Sequence, residues 1–501
     1  MRRPPRSSFI HALVVLLLPP LTTIVRADLD RGIQAILKDK LLARAAVAVE
    51  VVQLGDTPAQ DRVLLRHRGE TPLIPASNLK LVTTAAALDG LGSNFRFQTL
   101  LVQRGEDLVL VGDGDPTFGD AELLRKVGWE TTTVFQNWAQ QLRKAELLAF
   151  RHVLVDDSIF DETFVHPGWP ADQEQARYVA QVAGMSLNLN CIDFFVRGSA
   201  PGNPATFRMN PPTSYAPVHN AVVSGGDNAV WINRNRGAND ITLRGTCPSS
   251  GEVAASVTIH DPALFAATVL AETLKANGVH VEGKVARDRT VRETLLSNAQ
   301  SAIRNPHSTK PRILAVHETP LPHVLARANK DSVNLYAESL CKRLGATTSA
   351  TGSWPTGAAA MGAFLRRLGI AESQFKLDDG SGLSRENVIS ADAITAVLRF
   401  NYHGSNRNEY LASLAVGGVD GTLDERFRPG TVAPELKARV FGKSGYIVGV
   451  SALSGYLKAR DGNWYTFCIL MNNLPRGSNG RAKYLQDQIV KAIDADSAGK
   501  R

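Results

Sequence analysis

Cysteine is scarce: four residues in 501, too few to staple a fold that lacks its own core. None forms a Cys-x-x-Cys pair, and the 11 histidines include no His-Glu-x-x-His, so the usual zinc-site spacings are missing. No Gly-x-Ser-x-Gly occurs, which removes the nucleophile elbow of the α/β-hydrolases. Gly442-Lys443-Ser444 has Lys437 where a phosphate-binding loop needs glycine. Excess charge of one sign is also modest. The net charge is +8, but Arg2, Arg3, Arg6 and Arg26 supply half of it within an acid-free stretch of 27 residues. The remainder gives little reason to expect a nucleic-acid partner. Gly 41 and Pro 25 exclude collagen-like and low-complexity architectures, while 44% hydrophobic and 21% charged residues exclude wholesale disorder.

What is present begins with an export pattern. Arg2, Arg3 and Arg6 precede the apolar run Phe9–Leu18, interrupted only by His11; Pro19 and Pro20 break it, and Val25-Arg26-Ala27 offers a cleavage site. The run is roughly half the ~20 apolar residues a membrane span needs. Residues 1–27 are therefore expected to be a signal peptide, an uncleaved anchor being the alternative. The mature chain is expected in the periplasm or at the extracytoplasmic face of the envelope. Export permits disulfides: Cys191 and Cys247 are the preferred pair, with Cys341 and Cys468 as buried thiols, and no bridge at all as the rival reading.

Hydrophobic periodicity divides the rest. Helical spacing over Leu29–Leu41, a strand pattern over Ala46–Leu54 and a buried-helix pattern over Ser77–Leu88 make up a first segment, residues 28–97. Short strand-like runs (Leu108–Val111, Val153–Val155, Ile192–Val196) between Gly, Pro, Asn and Asp clusters mark a β-rich insert over 98–310, with a helical stretch at Leu264–Ala276. Residues 298–312 read as a boundary. Helical patterns return over Leu321–Leu344 and Gly357–Leu368. Strand candidates Leu453–Leu457 and Tyr465–Leu470 and a helix over Lys483–Ile493 complete a second segment, 311–501. Two similar outer segments around an insert suggest one discontinuous domain interrupted by one or two others.

The chemistry lies in three short motifs. Ser-x-x-Lys puts a hydroxyl and an amine on one helix face, where burial can hold the lysine neutral as a base toward the serine. It occurs four times, at Ser77/Lys80, Ser339/Lys342, Ser373/Lys376 and Ser497/Lys500. Only Ser77 opens an apolar helix just behind a proline. Ser-x-Asn occurs at Ser186/Asn188 and Ser332/Asn334, and only the latter falls between helical patterns in the second outer segment. Lys443-Ser444-Gly445 precedes the strand-like Tyr446-Ile447-Val448, and Gly445 would let a substrate backbone lie close. Asp113 and Asp115 lack the glutamate of a calcium loop and read as a turn, so no metal or other cofactor is expected.

With these motifs in this order, the chain resembles the D-alanyl-D-alanine carboxypeptidases/endopeptidases among the low-molecular-mass class C penicillin-binding proteins, in the branch with a large insert. The likeness extends through Val111–Pro116, Asp156–Asp161, Pro167-Gly168-Trp169, Asp379–Arg385 and Val419–Leu423. Ser444 stands where threonine is usual, and Tyr446 where a small residue is common.

The resemblance implies an α+β fold: a transpeptidase/β-lactamase-like antiparallel sheet flanked by helices, with inserted β-rich domains and the site at the sheet edge. It implies a serine DD-peptidase acting on D-Ala-D-Ala or D-Ala-diamino acid bonds of peptidoglycan stem peptides and acylated by β-lactams. Ser77 would be the nucleophile, Lys80 its base, Ser332 with Lys443 the proton shuttle to the leaving amine, and Asn334 a partner of the substrate amide. Ser444 and Lys443 would bind the terminal carboxylate, and the backbone amides of Ser77 and Tyr446 would form the oxyanion hole beside Gly445. Trp169, Asp172, Tyr178, Leu383 and Arg385 would line the pocket for the diamino acid. Two rivals use the same residues differently: a β-lactamase or esterase, and a non-catalytic cell-wall binding protein.

Overall fold

The computed structural model describes residues 21–298 and 311–498, with side chains over 29–295 and 311–497. The basic and apolar parts of the expected signal peptide lie outside the described residues, as does nearly all of the expected 298–312 boundary.

Alternation of side chains builds the central sheet. Helix α1 (Leu21–Leu37) leads into β1 (Ala46–Gln53) and β2 (Arg62–His67), and α2 (Leu79–Leu91) follows. From the far end of the chain come helices α3 (Leu321–Asn329), α4 (Asn334–Gly345) and α5 (Ala391–His403), strands β3 (Val440–Ile447), β4 (Val450–Lys458) and β5 (Trp464–Asn472), and helix α6 (Asn479–Ala498). The sheet order is Ala415–Val416, β3, β4, β5, β1, β2, antiparallel throughout. Strand β1 sits inside it and is buried on both sides. Val47, Val49 and Val51 face one way, with Phe467, Ile469 and Met471 of β5, onto Leu29 and Ile33 of α1 and Leu485 and Ile489 of α6. Ala48 faces the other way, with Leu470, onto α2, α4 and α5. A two-faced core of this kind needs both chain ends, which explains why neither outer segment carries a complete apolar pattern alone.

Helix α2 has no polar face: every residue from Leu79 to Leu88 is buried, including Lys80, Thr83 and Thr84. A helix apolar around its circumference belongs in an interior, and this one lies between α4, α5 and the sheet.

The region between the outer segments is held by a five-stranded sheet in the order Val285–Arg287, Val153–Asp156, Asp107–Val111, Arg96–Arg104, Arg312–Pro320. Two three-stranded sheets accompany it, centred on Cys191–Arg197 and Ile241–Cys247. Helices Thr133–Lys144 and Pro262–Ala276 share a core with these sheets.

The preferred Cys191–Cys247 bridge is not formed; all four cysteines are free and buried. Cys191 opens its strand, whereas Cys247 Sγ donates to Val196 O (3.5 Å) near the other end of that strand. Five extended residues span roughly 16 Å, far beyond the ~4.4–6.8 Å between α-carbons that a disulfide allows.

Candidate active site

The site is built where α2 begins. Pro75 and Ala76 turn the chain into a short 3-10 segment, Ala76–Asn78, with Ala76 in the left-handed region (φ 47°). The turn presents Ser77 half-exposed while Asn78 and Lys80 go inward. Asn78 Nδ2 donates to Ser454 Oγ of β4 (2.7 Å), fixing the turn to the sheet. Strand β3 crosses directly over it: a Cβ on Gly445 would lie 2.9 Å from Pro75 O and 3.1 Å from Ser77 N. A side chain here would press on that turn, so glycine is needed for the approach of the chain's own backbone, whereas the sequence reading assigns the space to a substrate backbone.

Lys80 Nζ donates to Ser77 Oγ (2.9 Å), Asn334 Oδ1 (2.7 Å) and Ser381 O (2.9 Å). Its ammonium has no exposure to water, and burial holds its pKa down to about 8 against the opposing charges of Glu338 and Asp379. Lys443 lies on β3, also fully buried. It donates to Ser332 Oγ (2.8 Å) and Ser444 O (2.8 Å), and burial together with the Lys80 charge presses its pKa well below the usual lysine value.

Ser332 sits in the break between α3 and α4 with φ 60°. No glycine or proline makes this break. Arg327 reaches Asp331 (2.9 Å), Lys330 pairs with Asp420, and the chain turns between them. Asn334 then opens α4 and bridges two regions, since its Oδ1 takes Lys80 and its Nδ2 donates to Tyr178 O (2.8 Å). Ser444 Oγ donates to Thr422 Oγ1 (2.8 Å). From Lys443 to Ile447 the outer edge of β3 has no strand partner among the described residues, because Ala415–Val416 pairs only with Phe441 and Gly442. An open strand edge beside an activated hydroxyl suits an extended peptide.

Seven sequence-predicted residues thus converge: Ser77, Lys80, Ser332, Asn334, Lys443, Ser444 and Gly445. Tyr446 follows on the strand, half-exposed. The outer five are distributed differently. Tyr178 is exposed, bonds through its hydroxyl to Gln173, and has its pKa raised by partial burial and then by the nearby Asp172 carboxylate. Asp172 is exposed on the turn Ala171–Gln173. Arg385 donates to Val448 O at the tip of the β3–β4 hairpin, and Leu383 packs on the core below. Trp169 is 6% exposed, forms a mutually contacting cluster with the rings of His166 and Trp354, and spends its indole N–H on Asp379 Oδ2 (2.9 Å). It braces the site from inside and does not face the cleft.

Sequence reasoning overlooked one of the two carboxylates that shape the loop from Asp379 to Arg385. Glu338, fully buried, accepts from Gly380 N (2.9 Å), Ser381 N (2.7 Å) and Trp354 Nε1 (2.7 Å). Burial, then the charge of Asp379, pushes its carboxyl up to about 7. Asp379 accepts from Gly382 N and Ser384 N (both 2.7 Å). The carbonyls of the same loop are gripped from α2, by Lys80 at Ser381 and by Thr83 at Gly380 (2.6 Å). The available signal was spacing: Glu338 lies one helical turn past Asn334, on the same face.

Comparison with known proteins agrees with this geometry. A family model described as the D-Ala-D-Ala carboxypeptidase 3 (S13) family matches residues 29–495. The chain is 32% identical over 498 residues to a D-alanyl-D-alanine carboxypeptidase of Actinomadura sp. (strain R39), covering 94% of this chain and 85% of that one. It is 24% identical over 437 residues to the D-alanyl-D-alanine carboxypeptidase DacB of Haemophilus influenzae, covering 83% and 84%. The solved structure of penicillin binding protein 4 from Haemophilus influenzae shares the fold, with a TM-score of 0.73 at 21% identity over 93% of this chain and 99% of that one. A match spanning nearly the whole described chain, with a serine-lysine pair at its centre, places this protein in the D-Ala-D-Ala carboxypeptidase 3 (S13) family.

Proposed function

We propose that Ser77 is the nucleophile of this serine-type D-Ala-D-Ala peptidase and that Lys80 is its base. One observation carries the assignment: a fully buried amine, its pKa lowered to about 8, lies 2.9 Å from a half-exposed serine hydroxyl. Neutral Lys80 takes the proton as Ser77 Oγ attacks the carbonyl carbon of the penultimate D-alanine. An ester forms and the amide C–N bond breaks. Ser332, held by Lys443, passes a proton to the departing amine. Water then cleaves the ester and regenerates Ser77. Ser444 and Lys443 receive the carboxylate of the leaving residue. The backbone N–H groups of Ser77 and Tyr446 flank the point where β3 meets the turn, and stabilise the oxyanion there.

We assign the reading of the stem peptide's diamino acid to Asp172, Tyr178, Leu383 and Arg385, with Trp169, bonded to Asp379, supporting the loop that carries Leu383 and Arg385. Peptidoglycan places the substrate outside the cytoplasm, in line with the export pattern; among the described residues no helix is long and apolar enough to cross a membrane.

The test is mass spectrometry after exposure to a labelled penicillin. One adduct per chain, on the peptide containing Ser77, is the expected result. Ser77→Ala should carry none, and Lys80→Ala should acylate about 10²–10⁴-fold more slowly. Undiminished labelling of Ser77→Ala would overturn the assignment.

A further inference from the structure

A second Ser-x-x-Lys pair, Ser339/Lys342, lies in the middle of α4 and has no part in the chemistry above. Ser339 is buried, and its hydroxyl has no hydrogen-bond partner among the described residues. Lys342 is fully buried and turns its ammonium elsewhere. Nζ donates to Asp161 Oδ1 (2.7 Å) and Thr163 O (2.7 Å), and it lies 3.8 Å from the centre of the Trp354 ring. A carboxylate, a carbonyl and an aromatic face together occupy the three N–H donors of an ammonium. The pair is therefore not a second nucleophile and base, and Lys342 needs another reason to be there.

That reason lies along one face of α4, where Asn334, Glu338 and Lys342 recur at four-residue spacing. Asn334 accepts from Lys80, and Glu338 holds the N–H groups of Gly380 and Ser381. Trp354 joins the other two, its ring against the Lys342 ammonium and its indole N–H on Glu338 Oε2 (2.7 Å). Trp354 opens the helix Trp354–Arg367, and Gly352 just ahead of it is fastened to the insert. Gly352 N donates to Ile159 O (2.8 Å), and Asp161 N donates to Gly352 O (2.9 Å). Contacts thus run unbroken from Asp161 and Thr163 through Lys342 and Trp354 to Glu338, then through Ser381 to Lys80.

We infer that Lys342 and Trp354 are positioning residues for acylation, through which insert residues 159–163 hold Glu338, and with it the loop carbonyl that Lys80 grips. The inference rests on the reading of Lys80 as the base. The surrounding charges give its sign. Glu338 faces Lys342 on its own helix, Lys80 from α2 and Asp379 from the loop; Lys342 faces Asp161 and Glu338; Lys80 also faces Asp379 and Lys443. The Lys342 charge and the Trp354 N–H both favour the Glu338 carboxylate, which in turn favours protonated Lys80. Losing either contact lets Glu338 hold a proton more readily, and Lys80 then becomes neutral at lower pH.

The experiment follows the rate of Ser77 acylation by a labelled penicillin against pH. The enzymes are the wild type, Lys342→Met and Trp354→Phe, each also combined with Glu338→Gln, with circular dichroism melting to show that each is folded. Phenylalanine keeps a ring against Lys342 and removes only the N–H, so it tests the coupling even if Lys342→Met does not fold. Each single variant should move the midpoint of the profile down by about half to one pH unit. Neither should move it further once Glu338 is glutamine. A fixed midpoint in Trp354→Phe, an upward shift in Lys342→Met, or equal shifts with and without Glu338 overturns the inference. A wild-type profile with no limb near pH 8 overturns the reading of Lys80 itself, a separate failure.

Discussion

At the scale of single residues, the site depends on an amine kept from water. Lys80 would be protonated at neutral pH if its helix had a wet face. Because α2 is buried all round, the neutral form is within reach at about pH 8. The rate of penicillin acylation should therefore rise with pH along a limb centred near 8. Glu338 modulates that limb. Its negative charge supports the protonated form of Lys80, so Glu338→Gln should move the midpoint to lower pH, by on the order of one unit. The plateau should also fall, because a glutamine offers one oxygen where Gly380, Ser381 and Trp354 now find two. A pH–rate profile separates these effects; a midpoint that stays fixed or moves upward would contradict the coupling. The convergence of Ser77, Ser332 and Lys443 was legible in the sequence because each sits in a short motif with one residue type at one spacing. Glu338 was not, because a carboxylate that holds backbone N–H groups shares no pattern with them until the fold closes. For Trp169 the residue type alone favoured a core position while the resemblance placed it at the pocket, and its burial and its bond to Asp379 decide for the core.

At the scale of elements, the strand-like runs of β1 and β5 and the uninterrupted apolar character of α2 were read correctly because both patterns are local. The break between α3 and α4 was less legible, since ion pairs from Arg327 and Lys330 position it and their partners are distant in sequence or on no recognisable motif. Strand β1 carries one local conflict. Glu50 points from the middle of the strand into the interior, 1% exposed, with Arg66 at 3.1 Å on one oxygen and no hydrogen-bond partner for the other among the described residues. Burial, and then the Asp392 charge, raise its pKa from 4.5 to about 7. The folded chain thus retains a proton that the unfolded chain releases. Stability conferred by the neutral carboxyl is fully present below pH 4.5 and is lost as pH rises through 7. Glu50→Gln, neutral throughout, should raise the free energy of unfolding by about 2–3 kcal/mol at pH 8 and change it little at pH 4.5. Urea unfolding at the two pH values checks this; a destabilised glutamine variant at pH 8 would show that the Arg66 pair outweighs burial.

At the scale of the molecule, the insert and the catalytic unit share a core, with Phe160, Trp169, Val179 and Leu189 packed among residues of the outer segments, and are tied by ion pairs such as Lys342–Asp161 and Arg343–Asp113. The strands Arg96–Arg104 and Arg312–Pro320, at either end of the intervening region, pair with each other along their length. Beyond them the insert reaches the site directly, through Tyr178 O at Asn334 and through Asp120. That carboxylate, 1% exposed, accepts from Arg327 Nε of α3 (3.2 Å) and from the Tyr336 hydroxyl of α4 (2.7 Å), so it grips both helices that flank Ser332. It also caps the short helix Ala121–Arg125. Removing one member of a buried ion pair leaves the other charge uncompensated. Asp120→Ala should therefore cost about 3–5 kcal/mol of stability, and it should slow acylation of Ser77 because Ser332 and Asn334 lose their common anchor. Asp120→Asn, which can still accept from Tyr336, should fall between the alanine variant and the wild type. Followed in parallel by tryptophan fluorescence and by penicillin labelling across a urea series, the alanine variant should lose fold and acylation at the same, lowered concentration. Labelling that survives after the fluorescence transition would mean that the catalytic unit stands without the insert, and that Asp120 serves the insert alone.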